Sequence, residues 1–171
     1  NNRTSLYKIK PRVEFSEFGF HPDLLAGIES LNFKTATPIQ EQAIPVVLKR
    51  RDLLGCAQTG TGKTAAFAIP IIQLLTADEV QQNFRGEQRG HTHQKPIHAL
   101  ILTPTRELAV QIGDSFAAYG RHCNLKHLVI FGGVSQHSKV ETLRRGVNIL
   151  IETPGRLLNL INQRFILLNK I

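Results

Sequence analysis

The chain has 171 residues, of which 42% are hydrophobic and 20% are charged. This composition is typical of one globular domain and argues against a disordered, collagen-like or coiled-coil protein. The sequence has no run of about 18 apolar residues, the length that a membrane span needs, and its first residues lack the apolar core of a signal peptide. The two cysteines, Cys56 and Cys123, fit neither a zinc pattern nor a disulfide framework. These features predict a soluble cytoplasmic protein with no membrane partner.

The charge of the chain is strongly positive and unevenly distributed. Lys and Arg number 21 against 13 Asp and Glu, which gives a net charge of +8. Residues 120–171 carry eight basic and two acidic side chains, so most of the excess lies in this part of the chain. A concentrated positive field suits a polyanion, because neutralising phosphates releases condensed counterions. The alternative is a basic surface that serves only solubility.

The first half of the chain contains three predicted helices and one predicted strand. Thr37 is a plausible N-cap with Pro38 in the first turn, as at many helix starts. The polar stretch from Ala77 to Pro96 lacks periodicity and predicts a surface loop. The predicted elements are a helix over Asp23–Asn32, a helix from Thr37 to about Arg50, a short buried strand over Asp52–Ala57 and a helix from Gly62 to about Leu75.

The second half alternates strands and helices. Such alternation implies parallel strands joined by crossover helices, hence an α/β fold with a parallel sheet flanked by helices. The segment before Thr37 precedes the first predicted strand, so it is expected to lie over the sheet edge, near the glycine-rich segment at 57–64. The predicted elements are strands over Ile97–Leu102, Leu125–Phe131 and Val147–Ile151, and helices over Thr105–Tyr119, Gln136–Arg145 and Pro154–Asn162.

A phosphate-binding loop is the strongest motif of the sequence. It reads Ala57-Gln58-Thr59-Gly60-Thr61-Gly62-Lys63-Thr64, with Ala57 where the strict pattern has glycine. The two glycines let backbone N–H groups turn toward phosphate oxygens at a helix N-terminus. Lys63 can reach the β- and γ-phosphates, and the Thr64 hydroxyl can bind Mg²⁺. The motif predicts a nucleoside triphosphate site; the alternative is a glycine-rich turn without a ligand.

The whole chain resembles the N-terminal RecA-like domain of a DEAD-box ATP-dependent RNA helicase. Asn32-Phe33-Lys34-Thr35-Ala36-Thr37-Pro38-Ile39-Gln40 is similar to the family's adenine-reading Q motif, although Asn32 replaces the usual glycine and Ala36 the usual first proline. The resemblance implies that Gln40 reads adenine and that Phe15 stacks on the base. It also implies an arm over residues 1–36 and a partial RecA-like P-loop NTPase domain over 37–171, incomplete at its C-terminus, with ATP and Mg²⁺ as cofactors.

Three further motifs resemble the RNA-binding motifs of this family. They follow predicted strands, where ligands of open parallel α/β sheets bind. Hydroxyls, arginines and helix N-termini suit phosphate oxygens but do not read bases. The resemblance therefore implies an RNA strand held by its backbone, with little sequence preference. Read alone, the same residues could form a surface ion pair and a helix N-cap. The motifs are Pro104-Thr105-Arg106-Glu107-Leu108-Ala109, of which residues 104–107 are expected to contact RNA, Gly132-Gly133 and Thr153-Pro154-Gly155-Arg156.

Two lesser signals favour ordinary interpretations. His91, His93 and His98 lack Cys or carboxylate partners at metal-ligand spacing, so we expect no metal site there. The stretch ending at Glu152 imitates the strand that carries a Mg²⁺-binding acid in many P-loop enzymes. Because Glu152 directly precedes Thr153-Pro154-Gly155-Arg156, we interpret it as a strand-end residue peculiar to this chain. A carboxylate beside RNA is mildly unfavourable.

The Asp-Glu-Ala-Asp motif that names the family does not occur in these 171 residues. We therefore expect the chain to be part of a longer helicase, whose second RecA-like domain supplies arginines, and we expect the part alone not to hydrolyse ATP. The parent enzyme would hydrolyse ATP and unwind RNA duplexes locally. Two alternatives remain: a catalytically silent RNA- or nucleotide-binding module, and a P-loop NTPase that acts on DNA or protein.

Overall fold

The fold combines a small parallel sheet with helices on both faces. The computed structural model describes residues 12–84, 97–130, 141–143, 145–166, 168 and 171, with the backbone alone for 79–84. Within these ranges a 3₁₀ turn at Phe15–Phe18 precedes the regular elements. The helices are α1 (Pro22–Glu29), α2 (Pro38–Leu48), α3 (Lys63–Phe84), α4 (Arg106–Tyr119) and α5 (Pro154–Asn162), and the strands are β1 (Ala99–Leu102), β2 (His127–Val129) and β3 (Ile149–Glu152).

The three described strands are parallel and lie in the order β1-β3-β2. In this register Leu102 of β1 pairs with Glu152 of β3, and Val129 of β2 pairs with Ile151. All four residues of β3 are buried, as expected of a central strand covered on both faces. The parallel register also brings the carboxyl ends of the strands to one edge of the sheet, where the segments that follow them meet.

Each face of the sheet has its own hydrophobic core. Ile149 and Ile151 of β3 point into a core shared with α1, α2, α3 and α4. Leu150 points to the opposite face, where it packs with Leu157 and Leu160 of α5. This alternation follows from the two-residue period of a strand. The described residues before Thr37 contribute to the first core, so they pack as part of the same folded unit.

The helices that carry strong capping signals begin where the sequence predicts. Thr37, Thr105 and Thr153 are the N-cap residues of α2, α4 and α5. The Thr105 hydroxyl accepts a hydrogen bond from the Leu108 N–H at 3.2 Å, and Pro38 and Pro154 occupy the first position of their helices. The α/β class and the flanked parallel sheet are confirmed.

Two of the predicted elements are wrong. Residues 52–57 do not form a strand: Leu54 is 93% exposed, and none of the described strands pairs with this segment. An apolar stretch needs a hydrogen-bonding neighbour to become a strand, and here it has none within the described chain. Residues 77–84 continue α3 instead of forming a loop, and Asp78 on this extension forms an ion pair with Arg50 at 2.8 Å.

Two predictions fall wholly or partly outside the described residues. They are the remainder of the predicted loop, at 85–96, and most of the predicted helix over Gln136–Arg145. Of the latter, residues 141–143 and 145 are described and are helical.

In the ranges that the structure describes, no helix has both the length and the apolar character that crossing a membrane requires.

Candidate functional site

A cavity of about 860 Å³ lies where the N-terminal segment, the phosphate-binding loop and α4 meet. Its size falls within the range of small-molecule binding sites, about 300–1,000 Å³. The segment before Thr37 forms one wall, near the loop as the sequence predicts. The lining residues are Phe15, Asn32, Phe33, Lys34, Thr35, Thr37, Gln40, Thr59, Gly60, Gly62, Lys63, Thr64, Ala65, Leu108, Gln111, Ser115 and Tyr119.

The phosphate-binding loop has the backbone conformation that its glycines predict. Gly60 and Gly62 have φ of +80° and +86°, a region that favours glycine. Lys63 is the first residue of the 22-residue helix α3, so the positive end of the helix dipole faces the cavity. The Lys63 ammonium donates to the Ala57 carbonyl and to the Gln58 carbonyl, the latter at 2.8 Å. Two carbonyl groups of the loop thus hold the Lys63 ammonium, although Lys63 remains exposed.

Helix α2 is tied to this loop by two side chains. The Thr37 hydroxyl donates to the Thr61 carbonyl at 2.8 Å, and Gln40 Nε2 donates to the Gly62 carbonyl at 3.1 Å. Gln40 Oε1 accepts the Thr37 N–H at 2.9 Å, and the Gln40 side chain is buried, with 3% exposure. A Cβ at Gly62 would lie 2.3 Å from Gln40 Nε2, so only glycine leaves room for this contact. Gln40 therefore holds the start of α2 against the loop.

The aromatic wall of the cavity has a buried and an exposed layer. Phe15 is 2% exposed and stacks on Phe33, with ring centroids 6.3 Å apart and an interplanar angle of 23°. Phe33 is 38% exposed and also contacts Tyr119 at 6.2 Å. Burial raises the pKa of the Tyr119 hydroxyl, and a hydrogen bond with Ser115 lowers it less. Phe15 thus backs the wall, and Phe33 offers the more exposed ring.

One face of α4 forms a wall that the sequence reasoning missed. Leu108, Gln111, Ser115 and Tyr119 all line the cavity. Their spacings of three, four and four residues place them on one side of a helix. This periodicity is the sequence pattern from which a shared face of α4 could have been predicted. The first of them follows directly after the motif at 104–107, so α4 joins the cavity to the sheet edge.

Two of the three predicted RNA segments lie together at the carboxyl edge of the sheet. Residues 104–107 follow β1 and are all exposed, and residues 153–156 follow the adjacent strand β3. The Thr103 N–H donates to the Glu152 carbonyl at 3.0 Å, which joins the two segments where they start. Thr103 is buried, and its hydroxyl donates to the Thr105 carbonyl at 2.9 Å. Thr103 thus stabilises the turn between β1 and α4, a role that was not predicted from the sequence. Gly132 and Gly133 lie outside the described residues.

The N-termini of α4 and α5 belong to this same edge. Arg106 and Glu107 occupy the first turn of α4, whose N-cap is Thr105. Pro154, Gly155 and Arg156 occupy the first turn of α5. A Cβ at Gly155 would meet no atom within 4 Å, so the backbone there is open to approach. The edge combines two helix N-termini, hydroxyls and two arginines, a set suited to anions.

Glu152 is the last residue of β3, as its position in the sequence predicts, but its side chain is only 1% exposed. Glu152 Oε1 accepts the N–H of Thr153 at 2.8 Å and the hydroxyl of Thr153 at 3.2 Å. It is not among the residues that line the cavity. In the part of the chain that the structure describes, no three His, Cys, Asp or Glu side chains are grouped as metal ligands; His91 and His93 lie outside that part.

A parallel sheet between helices, with a glycine-rich loop at a helix N-terminus, defines an α/β nucleotide-binding domain. The family model described as DEAD/DEAH box helicase matches residues 37–171. The chain belongs to the DEAD/DEAH box helicase family.

Individual relatives agree with this assignment. The chain is 43% identical over 150 residues to the ATP-dependent rRNA helicase RRP3 of Lodderomyces elongisporus, and this match covers 87% of the chain. It is 40% identical over 159 residues to the DEAD-box ATP-dependent RNA helicase CshA of Streptococcus pneumoniae, with 93% of the chain covered. The aligned part spans only 27% and 28% of the length of these two relatives.

A solved structure supports the fold. The crystal structure of a DEAD box protein from the hyperthermophile Methanococcus jannaschii superposes with a TM-score of 0.76 at 34% sequence identity. The similarity covers 92% of this chain and 39% of that one. The α/β architecture described above is therefore that of a DEAD box protein.

Proposed function

We propose that the chain is the ATP-binding part of an ATP-dependent RNA helicase, and that the 860 Å³ cavity is its nucleotide site. One observation carries the proposal: the segment around Phe33, the phosphate-binding loop and the start of α3 converge on a single cavity. The names of the two relatives above, both ATP-dependent RNA helicases, agree with it.

The residues of the loop fit a nucleoside triphosphate. Two glycines with positive φ, the N-terminus of α3 and the Lys63 ammonium all direct positive charge to one end of the cavity. Thr64 lines the same end, and its hydroxyl would hold Mg²⁺. Bound Mg²⁺ would neutralise phosphate charge during hydrolysis. Lys63 would exchange its two carbonyl partners for phosphate oxygens, since a charged acceptor makes the stronger hydrogen bond.

The part of the cavity lined by Gln40 and the aromatic residues suits adenine. A primary amide has two N–H groups and an oxygen with two lone pairs. Gln40 uses one N–H for Gly62 and one lone pair for Thr37, so one donor and one acceptor remain. That pair matches the amino group and the neighbouring ring nitrogen of adenine. Phe15 and Phe33 together would supply the aromatic wall for the base, with Phe33 as its more exposed ring.

The carboxyl edge of the sheet would hold RNA by its phosphates. Arg106 and Arg156 and the N-termini of α4 and α5 supply positive charge there, and these groups do not discriminate between bases. In the complete protein, a second RecA-like domain would close on the nucleotide and complete hydrolysis, and the enzyme would unwind RNA duplexes locally.

Titration with fluorescently labelled ADP and GDP tests the nucleotide site. ADP should bind more tightly, because the wrong base leaves buried polar groups unpaired at about 1–3 kcal/mol per group. Lys63→Ala should weaken both nucleotides, whereas Lys126→Ala, which removes an exposed lysine that does not line the cavity, should not. Equal affinities, or tighter GDP, would contradict the adenine site.

Binding of single-stranded homopolymers tests the RNA edge. Arg106→Ala and Arg156→Ala should weaken every homopolymer by a similar factor, and affinity should fall with salt. Arg121→Ala is the matched control, because Arg121 follows the opposite end of the 14-residue helix α4. A variant that changes the preference for one base would show that its arginine reads bases.

A further inference from the structure

The two N-cap threonines of the RNA edge are in different hydrogen-bonding states. The Thr105 hydroxyl accepts a hydrogen bond from its own helix, which leaves its proton available to a phosphate oxygen. The Thr153 hydroxyl lies 3.2 Å from the Glu152 carboxylate. In this contact the Thr153 hydroxyl is the donor and Glu152 Oε1 is the acceptor.

The backbone of Thr153 is engaged in the same way. Its N–H donates to Glu152 Oε1 at 2.8 Å. One carboxylate oxygen therefore takes both donors of the residue that caps α5, at the position where an anion would be favoured by the helix dipole. Phosphate oxygens also only accept hydrogen bonds. A phosphate and Glu152 consequently compete for the same two donors.

Glu152 is only 1% exposed, so it holds the Thr153 donors from the protein interior. On the other side of Thr153, the open space around Gly155 lets a phosphate approach the first turn of α5. The geometry thus combines an accessible helix N-terminus with a buried acceptor that already occupies the donors of Thr153.

We propose that Glu152 is a positioning residue that weakens the binding of RNA by this chain, because it withholds the Thr153 donors from phosphate. The proposal rests on the RNA contact at residues 153–156 proposed above. It gives the two helix N-termini of the edge unequal roles: α4 holds RNA more firmly, and α5 releases it more readily.

The test compares Glu152→Ala with Glu152→Gln and Glu141→Ala in binding single-stranded RNA. Glu152→Ala removes the acceptor of both Thr153 donors, whereas glutamine keeps an amide oxygen that can accept them. Glu141 is exposed and forms an ion pair with Arg145, so Glu141→Ala is the control for loss of a surface glutamate. Glu152→Ala should tighten binding roughly three- to tenfold, the range of one net hydrogen bond. The slope of log K against log salt should stay unchanged, because the released donors are neutral. Glu152→Gln and Glu141→Ala should each change the affinity less than about twofold.

A second variant keeps the proposal falsifiable if Glu152→Ala does not fold, which thermal unfolding would reveal. Thr153→Ala should change RNA affinity less than about twofold, because its hydroxyl already serves Glu152. A loss as large as that of Arg156→Ala would show that the hydroxyl binds phosphate, and would overturn the proposal. A folded Glu152→Ala protein that binds RNA no more tightly than Glu141→Ala would also overturn it. If the unsubstituted chain does not bind RNA, the proposed function fails, and this inference fails with it.

Discussion

Replacing Gln40 by alanine tests the contact between α2 and the phosphate-binding loop. The substitution removes the acceptor of the Thr37 N–H and the donor to the Gly62 carbonyl. The Gly62 carbonyl keeps a second partner, the Ala66 N–H at 3.1 Å, so only its bond to Gln40 is lost. The Thr37 N–H has no such replacement within its own helix, because it lies before the first turn of α2.

The size of the effect follows from these contacts. Leaving the Thr37 N–H without an acceptor costs about 1–3 kcal/mol, and losing the bond to Gly62 costs about 0.5–1.5 kcal/mol more. Removing one buried methylene adds about 0.8 kcal/mol. We therefore expect Gln40→Ala to lower the free energy of unfolding by about 2–5 kcal/mol. For a chain of this length, the melting temperature falls by about 2–4 °C per kcal/mol.

Urea and thermal unfolding measure the change, with Gln42→Ala as the matched control. Gln42 lies on the same helix but is exposed, so its replacement should change stability by no more than about 0.5 kcal/mol. Gln40→Ala should also reduce the preference for ADP over GDP. A Gln40→Ala protein as stable as Gln42→Ala would refute the reasoning, since it would mean that the two hydrogen bonds do not hold α2 against the loop.

Three further predictions concern other parts of the molecule. The 171-residue chain alone should release phosphate from ATP far more slowly than a longer protein with a second domain. Arginines of the kind expected in that domain increase the rate about 10³–10⁵-fold in related NTPases. RNA-stimulated turnover equal to that of the longer protein would contradict this prediction. Gly27→Ala should lower the free energy of unfolding by about 1–3 kcal/mol, because the new Cβ would lie 2.1 Å from the Tyr119 carbonyl oxygen. Unchanged stability would mean that α1 and α4 lie farther apart. Burial lowers the pKa of His127 below 6.5, and the charge of Asp114 opposes this shift to a smaller extent. Below about pH 6.5 the unfolded chain therefore binds more protons than the folded chain, so the free energy of unfolding falls as the pH falls. Unfolding titrations from pH 7.5 to 5.5 should show a shallower fall for His127→Gln.

Capping chemistry made several helix boundaries predictable. At Thr37-Pro38 and Thr153-Pro154, a hydroxyl residue precedes a proline that fits only the first turn, so α2 and α5 begin where the sequence indicates. The end of α3 was not predictable in this way. Residues 77–84 are mostly polar, and their few apolar side chains, Ala77, Val80 and Phe84, recur at helical spacing over only two turns. They continue a helix that is already formed, and extending a helix is far easier than nucleating one.

Residues that depend on distant partners were less predictable. The apolar run at 52–57 has the composition of a buried strand, but composition does not reveal whether a neighbouring strand is present. The spacing of Phe15 from the motif at 32–40 predicted that it lies near the cavity, but did not predict that it packs behind Phe33. Likewise, the position of Glu152 was clear from the sequence, whereas its hydrogen bonds to Thr153 depend on side-chain geometry. Local sequence patterns thus predicted which segments line the cavity, whereas the contacts of each side chain depend on how these segments pack.

The segment that leads into the phosphate-binding loop has a consequence for allosteric coupling. Residues 51–58 lack strand pairing within the described chain, so the loop is supported from α2 and α3 and not from the sheet. The apparent affinity for a nucleotide is the intrinsic affinity multiplied by the fraction of molecules in which the loop has its binding conformation. Any strand that pairs with residues 52–57 would raise this fraction and strengthen nucleotide binding without contacting the nucleotide. By reciprocity, a bound nucleotide would strengthen the pairing of that strand by the same factor.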